Sequence, residues 1–160
     1  MMITQLDVVK NFTYKEGHLF WKRPRSGIQI KDQAGCIDTK GYLRIRFNGK
    51  KYLNHRLIFL MHYGYLPKIL DHIDGNPLNN KIENLRPATR EQNGYNKMLN
   101  KNNKSGIKNV HWHLQAKKWV VRIGFNKTFK YIGLFKDLEL AELVAQEARK
   151  KYHKEFARHF

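Results

Sequence analysis

Residues 71–93 read DHIDGNPLNNKIENLRPATREQN, an Asp-His pair followed by asparagines at positions 84 and 93. The apolar Ile69-Leu70 leads into Asp71 and His72, and Asp74-Gly75-Asn76-Pro77 then supplies turn residues, so the two reactive side chains are expected at a strand end. A second extended piece is expected at Leu85 to Ala88. Thr89 suits the cap of a following helix, because its hydroxyl accepts one of the amide hydrogens that a first turn leaves unpaired. This order of strand, loop, strand and helix puts Asn93 about one turn into the helix, and folding the helix back across the strands brings it toward Asp71. Neighbouring strand residues face opposite ways, which lets Asp71 and His72 address different partners. Phosphodiester hydrolysis needs a base for water, oxygen ligands for a divalent ion and a group that orients the base. His72, the pair Asp71 and Asn93, and Asn84 have the chemistry for those three roles. Asn76, Asn79 and Asn80 read as turn formers and are set outside the site.

The segment resembles the HNH endonuclease motif in its ββα-metal form, in the variant found in phage and intron homing endonucleases. The resemblance extends upstream over Gly41 to Gly64, GYLRIRFNGKKYLNHRLIFLMHYG, which is similar to the sheet and His-Arg helix that precede that motif. It implies Asp71 and Asn93 as metal ligands, His72 as general base and Asn84 as the residue that hydrogen-bonds and orients the histidine, with a 5′ phosphate product. Asn93 stands where the second histidine that names the family would be, a substitution common in the homing branch. An Asp plus Asn pair is a hard, oxygen-only site that suits one magnesium ion, with manganese as the alternative, better than zinc. His55, beside Arg56 at the head of the apolar run Leu57 to Met61, reads as structural or phosphate-facing, and His62 as a surface residue of the same helix.

The chain has 160 residues, 41% of them hydrophobic, enough for one medium domain or two small ones. A net charge of +18 is far more than solubility needs and is the electrostatic footprint of a polyanion binder. The basic residues are interleaved with aromatic and apolar ones, so they belong to folded surfaces. No run of 18 apolar residues is present, and the start MMITQLDVVK lacks the regions of a signal peptide. A cytoplasmic protein without a membrane partner is expected, in a bacterial host cell if phage-encoded. The single Cys36 excludes an internal disulfide and a cysteine-rich zinc site, and is expected to be a small buried strand residue.

Residues 97–106, KMLNKNNKSG, form a polar stretch expected to link a nuclease domain at 1–96 to a second module at 107–160; the alternative carries the preceding helix on through about Leu99. Short strands are expected at Phe12 to Tyr14, Leu19 to Trp21 and Tyr42 to Phe47, with Lys22, Arg23, Arg25, Arg44 and Arg46 as candidate phosphate contacts. Beyond the linker, strands are expected at Gly106 to His113, Lys118 to Phe125 and Phe129 to Phe135, then a helix from Leu138 to Tyr152. In the middle strand Trp119, Val121 and Ile123 alternate with Lys118, Val120, Arg122 and Gly124, and the helix carries Ala141, Val144, Ala145, Ala148 and Tyr152 along one side. The fold class is therefore α+β: a ββα-metal nuclease domain preceded by small antiparallel strands, and a three-stranded antiparallel sheet packed on one C-terminal helix.

The second module resembles the APETALA/ethylene-response-factor type of DNA-binding domain through SGIKNVHWH, KKWVVRI, YIGLF and ELAELVAQEA. The resemblance implies Lys108, His111, Arg122 and Tyr131 as DNA-facing side chains, with Gly124 and Phe129 where plant members carry arginine. Together the two resemblances imply a metal-dependent endonuclease of double-stranded DNA, monomer or homodimer, with no protein partner implied. The rival readings are a non-catalytic DNA-binding regulator on a nuclease-derived fold and an RNA binder. Readers of single-stranded RNA display aromatics on an exposed sheet face, whereas Trp119 falls on the apolar side.

Overall fold

A computed structural model describes residues 3–23, 27, 29 and 32–159; Arg25 lies outside them. By contact the chain divides into two compact units, Met1–Ala88 and Thr89–Phe160.

The first unit opens with a helix that the strand-based sequence reading does not anticipate. The Thr4 hydroxyl accepts from the Asp7 amide while the Asp7 carboxylate accepts from the Thr4 amide, and this capping box starts α1 (Gln5–Asn11), which buries Val8. Strands β1 (Phe12–Lys15) and β2 (His18–Trp21) form a hairpin over the two-residue turn Glu16-Gly17, whose φ angles of 46° and 85° are the left-handed pair that matches strand twist. A three-stranded antiparallel sheet follows, ordered β3 (Cys36–Ile37), β4 (Leu43–Phe47), β5 (Lys50–Leu53). Alternation in β4 buries Leu43, Ile45 and Phe47, while Arg46 stays exposed. Helix α2 (Asn54–Tyr63) ends at the left-handed Gly64. Strands β6 (Ile69–His72) and β7 (Leu85–Ala88) pair antiparallel, in the positions expected from the sequence. One core joins these pieces through Val8, Phe12, Leu19, Phe47, Ile58 and Leu85. Cys36 is exposed rather than buried, because β3 is a two-residue edge strand with both residues in solvent.

The second unit begins with α3 (Arg90–Tyr95), followed by the strands β8 (Val110–His113), β9 (Lys118–Phe125) and β10 (Thr128–Phe135), then α4 (Leu138–His153). Residues 97–106, expected as the linker, contain no helix or strand; α3 stops at Tyr95, and the division by contact falls ahead of it, between Ala88 and Thr89. The sheet runs β10-β9-β8, all antiparallel, as the alternation predicts. Ala141 and Ala145 of α4 pack with Val110 and Val121, the small side chains letting helix and sheet approach closely. Among the described residues no helix is long and apolar enough to cross a membrane.

Gly17 fixes the β1–β2 hairpin against the segment that follows β6. A Cβ there would lie 2.8 Å from the Lys81 amide nitrogen and 3.0 Å from the Asn80 carbonyl carbon, at a φ that side chains rarely adopt. Gly17→Ala is expected to lower stability by about 1–3 kcal/mol, read as the urea midpoint; an unchanged midpoint would mean that the turn and the 80–81 segment yield freely.

Candidate functional site

Antiparallel pairing places Arg86 directly across from Asp71 and Leu85 across from His72. The Arg86 Nε donates to Asp71 Oδ2 at 3.0 Å, so the carboxylate is held as an ion pair although Asp71 is only 5% exposed. His72 is equally buried, and its Nε2 lies 2.9 Å from Asn80 Oδ1. An amide oxygen accepts, so Nε2 carries the ring proton and Nδ1 is left as the basic nitrogen. The Asn80 Nδ2 is buried without a hydrogen-bond partner.

Asn80, rather than Asn84, makes this hydrogen bond to the histidine. Asn84 ends a single 3-10 turn, Ile82–Asn84, and its side chain is engaged elsewhere. Its Oδ1 accepts from the Asp74 amide at 3.1 Å, while Nδ2 donates to Asp74 Oδ1 at 3.0 Å and to the Asn79 carbonyl at 2.7 Å. It thereby curls the loop so that Asn80 returns over the His72 ring. Asn79 and Asn80 are adjacent turn formers, and nothing local in the sequence separates the one that orients the histidine from its neighbour. Burial pushes the Asp74 carboxyl up, but donation from Asn79, the Asn76 amide and Asn84 outweighs it and leaves the group below its ordinary range.

A second histidine belongs to this cluster. His55, in the first turn of α2 and 4% exposed, meets His72 edge to face with ring centroids 4.8 Å apart, and Tyr42 lies 5.6 Å from His55 and 6.1 Å from His72. Burial, then the neighbouring His72 and Arg56 charges, lower its pKa to about 3, so its ring is neutral near pH 7. His62 is exposed on the same helix with its Nδ1 against the Ile58 carbonyl, as expected.

Asn93 is the fourth residue of α3, after a Thr89 cap that forms a capping box with Gln92. Asp71, His72, Asn80 and Asn84 therefore share the first unit, whereas Asn93 belongs by contact to the second. Among the described residues no three His, Cys, Asp or Glu side chains gather as a metal site. A divalent ion at Asp71 would draw its other ligands from amide, water and phosphate oxygens.

On the second unit, His111 opposes Val120 and Arg122 opposes Tyr131, so His111, Arg122 and Tyr131 share the sheet face turned away from α4. All three are exposed, with Phe129 80% exposed beside them. Lys108 behaves differently. Its Nζ donates to the Tyr95 and Lys97 carbonyls, each at 2.6 Å, and burial followed by the Arg149 and Arg158 charges lowers its pKa to about 8. Of the basic residues expected to touch phosphate from the first unit, Lys22 donates to the Val9 carbonyl and Arg44 pairs with Asp38, while Arg23 and Arg46 are exposed.

Residues 52–95 match the HNH endonuclease family model, from β5 to the last residue of α3. Protein 3.8 of Escherichia phage T7 is 30% identical over 151 residues, spanning 91% of this chain and 96% of that protein. The chain belongs to the T7 protein 3.8 family. It carries an HNH endonuclease domain. An uncharacterized HNH endonuclease of Acanthamoeba polyphaga mimivirus is 37% identical over 102 residues, covering 62% of this chain and 54% of the viral protein. No solved structure matches. The HNH endonuclease domain supports nuclease activity in general, with DNA as the substrate class.

The neutral His55 gives this phage-related HNH protein an acid sensitivity of known sign. The unfolded ring takes a proton near pH 6.5 and the folded ring only near 3, so between these values the unfolded chain binds more protons. This contribution is fully present above pH 6.5 and is lost as pH falls, by at most about 1.4 kcal/mol per pH unit. Urea midpoints at pH 7.5 and 5.5 are expected to differ less in His55→Gln than in the wild type; equal differences would place the titrating group elsewhere.

Proposed function

We propose that this protein is a divalent-metal-dependent DNA endonuclease of the HNH homing type, with β6, β7 and α3 forming its ββα-metal motif. The observation that carries the reading is the His72–Asn80 hydrogen bond. It leaves a buried, oriented imidazole with Nδ1 as base immediately after an ion-paired carboxylate, inside the segment matched by the HNH family. His72 Nδ1 takes a proton from water, the resulting hydroxide attacks phosphorus in line with the 3′ oxygen, and the P–O3′ bond breaks to leave a 5′ phosphate. The departing oxygen takes its proton from solvent.

The donor set fits a hard divalent ion, magnesium or manganese, held by the Asp71 carboxylate and the Asn93 amide oxygen. A carboxylate has lone pairs on both oxygens and can accept from a guanidinium while serving an ion. When bound, the ion supplies electrostatic stabilisation of charge on the phosphate and the 3′ oxygen. Asn80 holds the tautomer of His72, and Asn84 braces the loop that carries Asn80. The Asn80 Nδ2, buried and unpaired, is a donor suited to a phosphate oxygen or the attacking water.

The charge of +18 and the exposed His111, Arg122 and Tyr131 support duplex DNA contact through the sheet of the second unit, with the side chains reaching phosphates and base edges of a groove. The Asp71–Arg86 pair favours the rival reading, a DNA-binding regulator, because a guanidinium neutralises the carboxylate without any ion.

Cleavage of supercoiled plasmid and phage DNA decides between them. Magnesium-dependent nicking or linearisation, abolished by EDTA, is expected of the wild type. His72→Ala is expected to lose about 10²–10⁴-fold in rate with DNA binding retained. Equal loss of cleavage and binding would make His72 structural, and binding without cutting on every DNA offered would favour the regulator. Asn80→Ala is expected to cost about 10–100-fold in rate, as loss of a group orienting a reacting side chain typically does; a full rate would remove Asn80 from the site.

A further inference from the structure

The helix that carries Asn93 is too short to hold itself together. At six residues, one of them Gly94, α3 is well below the length at which an isolated helix persists in water, and none of its residues is buried. Its order comes from contacts with the rest of the second unit. At its first turn, the Glu91 carboxylate accepts from the Lys127 amide at 3.0 Å, in the β9–β10 turn. At its last, the Tyr95 ring stacks parallel on His153 of α4 with centroids 3.7 Å apart and 8° between planes, and His153 Nε2 donates to the Gly124 carbonyl of β9 at 2.8 Å.

Lys108 closes the end of the helix. Its ammonium donates to the Tyr95 and Lys97 carbonyls, groups that a helix C-terminus leaves unpaired and that attract positive charge. The Lys108 carbonyl in turn accepts from Nη1 of the buried Arg149 of α4. Lys108 thus joins α3 to α4, and an ammonium committed to two carbonyls at 2.6 Å is poorly placed to serve as the phosphate contact that the domain resemblance implies.

We propose that the C-terminal unit takes part in the nuclease reaction directly, by holding in its helical form the segment that presents Asn93, with Lys108 as the positioning residue. The proposal rests on the reading of Asn93 as an ion ligand. It makes the sheet module more than a DNA-binding appendage, since the last helix of the HNH segment depends on it for order.

The test uses the full chain as wild type, Lys108→Met and Lys108→Arg. Amide hydrogen exchange at residues 93–97 reads the helix, and exchange across β9 checks that the unit stays folded. Plasmid cleavage gives kcat and KM, and DNA affinity is measured over a salt series. Lys108→Met is expected to speed exchange at 93–97 about tenfold or more, the usual scale for loss of a charge-assisted hydrogen bond, with β9 unchanged. Its kcat is expected to fall about 10–100-fold with KM nearly constant, as for misplacement of a reacting group. Lys108→Arg is expected to restore part of both.

Unchanged exchange at 93–97 would overturn the proposal, and so would faster exchange with kcat intact. A weaker affinity whose salt slope drops by about one, with kcat intact, would return Lys108 to the phosphate contacts. If the wild type cut no DNA offered, the reading of Asn93 would fall, and with it the proposed role in the reaction, while exchange would still decide whether Lys108 anchors α3.

Discussion

Three hydrogen bonds from the Asn84 side chain shape the loop between β6 and β7, and the candidate site depends on them. The amide oxygen takes the Asp74 N–H, and the amide nitrogen serves the Asp74 carboxylate and the Asn79 carbonyl. Leaving one such buried group unpaired costs about 1–3 kcal/mol, so the loop has few alternative conformations that keep all its polar groups satisfied. Its curl brings Asn80 to 2.9 Å from the ring of His72, and the hairpin turn at Gly17 closes against the backbone at Asn80 and Lys81. The Tyr14 hydroxyl accepts the Ile82 amide at 3.1 Å from the same hairpin. A residue engaged elsewhere in the loop therefore sets the position of the one that bonds to His72.

Electrostatics then separates the titratable groups that share this small volume. Asp71 faces Arg86 across the strand pair as an ion pair, whereas burial, with His72 as its neighbour, keeps His55 neutral. Removing one partner of a buried ion pair typically costs about 3–5 kcal/mol, so loss of Arg86 would leave Asp71 as a buried group without its countercharge.

Much of the architecture was legible because it rests on local rules. Alternation along Lys118–Phe125 marked the central strand and its two faces, the spacing of alanines marked the packed side of α4, and Thr89 marked the start of α3. Asp71 and His72 fall at the strand end expected of an apolar run broken by Asp-Gly-Asn-Pro. The failures share a cause in long-range contact. Cys36 looked like an ordinary strand residue, yet β3 is an edge and leaves it exposed. His55 reads as structural or phosphate-facing, and only the fold shows that α2 delivers it to the ring of His72. The resemblance implies Lys108 as a DNA-facing side chain, yet its amine turns to two carbonyls at the end of α3.

By itself the sequence determined the strand and helix order of residues 69–95 and of the C-terminal module, the polyanion-directed charge and the residue types able to carry out phosphodiester hydrolysis, because periodicity, turn chemistry and side-chain chemistry act over a few residues. Only the tertiary structure decided that Asn80 rather than Asn84 bonds to His72, that His55 stands beside it, and that α3 takes its order from the C-terminal unit. Those outcomes depend on which polar groups satisfy one another once the chain has folded, and neighbouring asparagines or lysines of equal local propensity are told apart only by the partners that folding supplies.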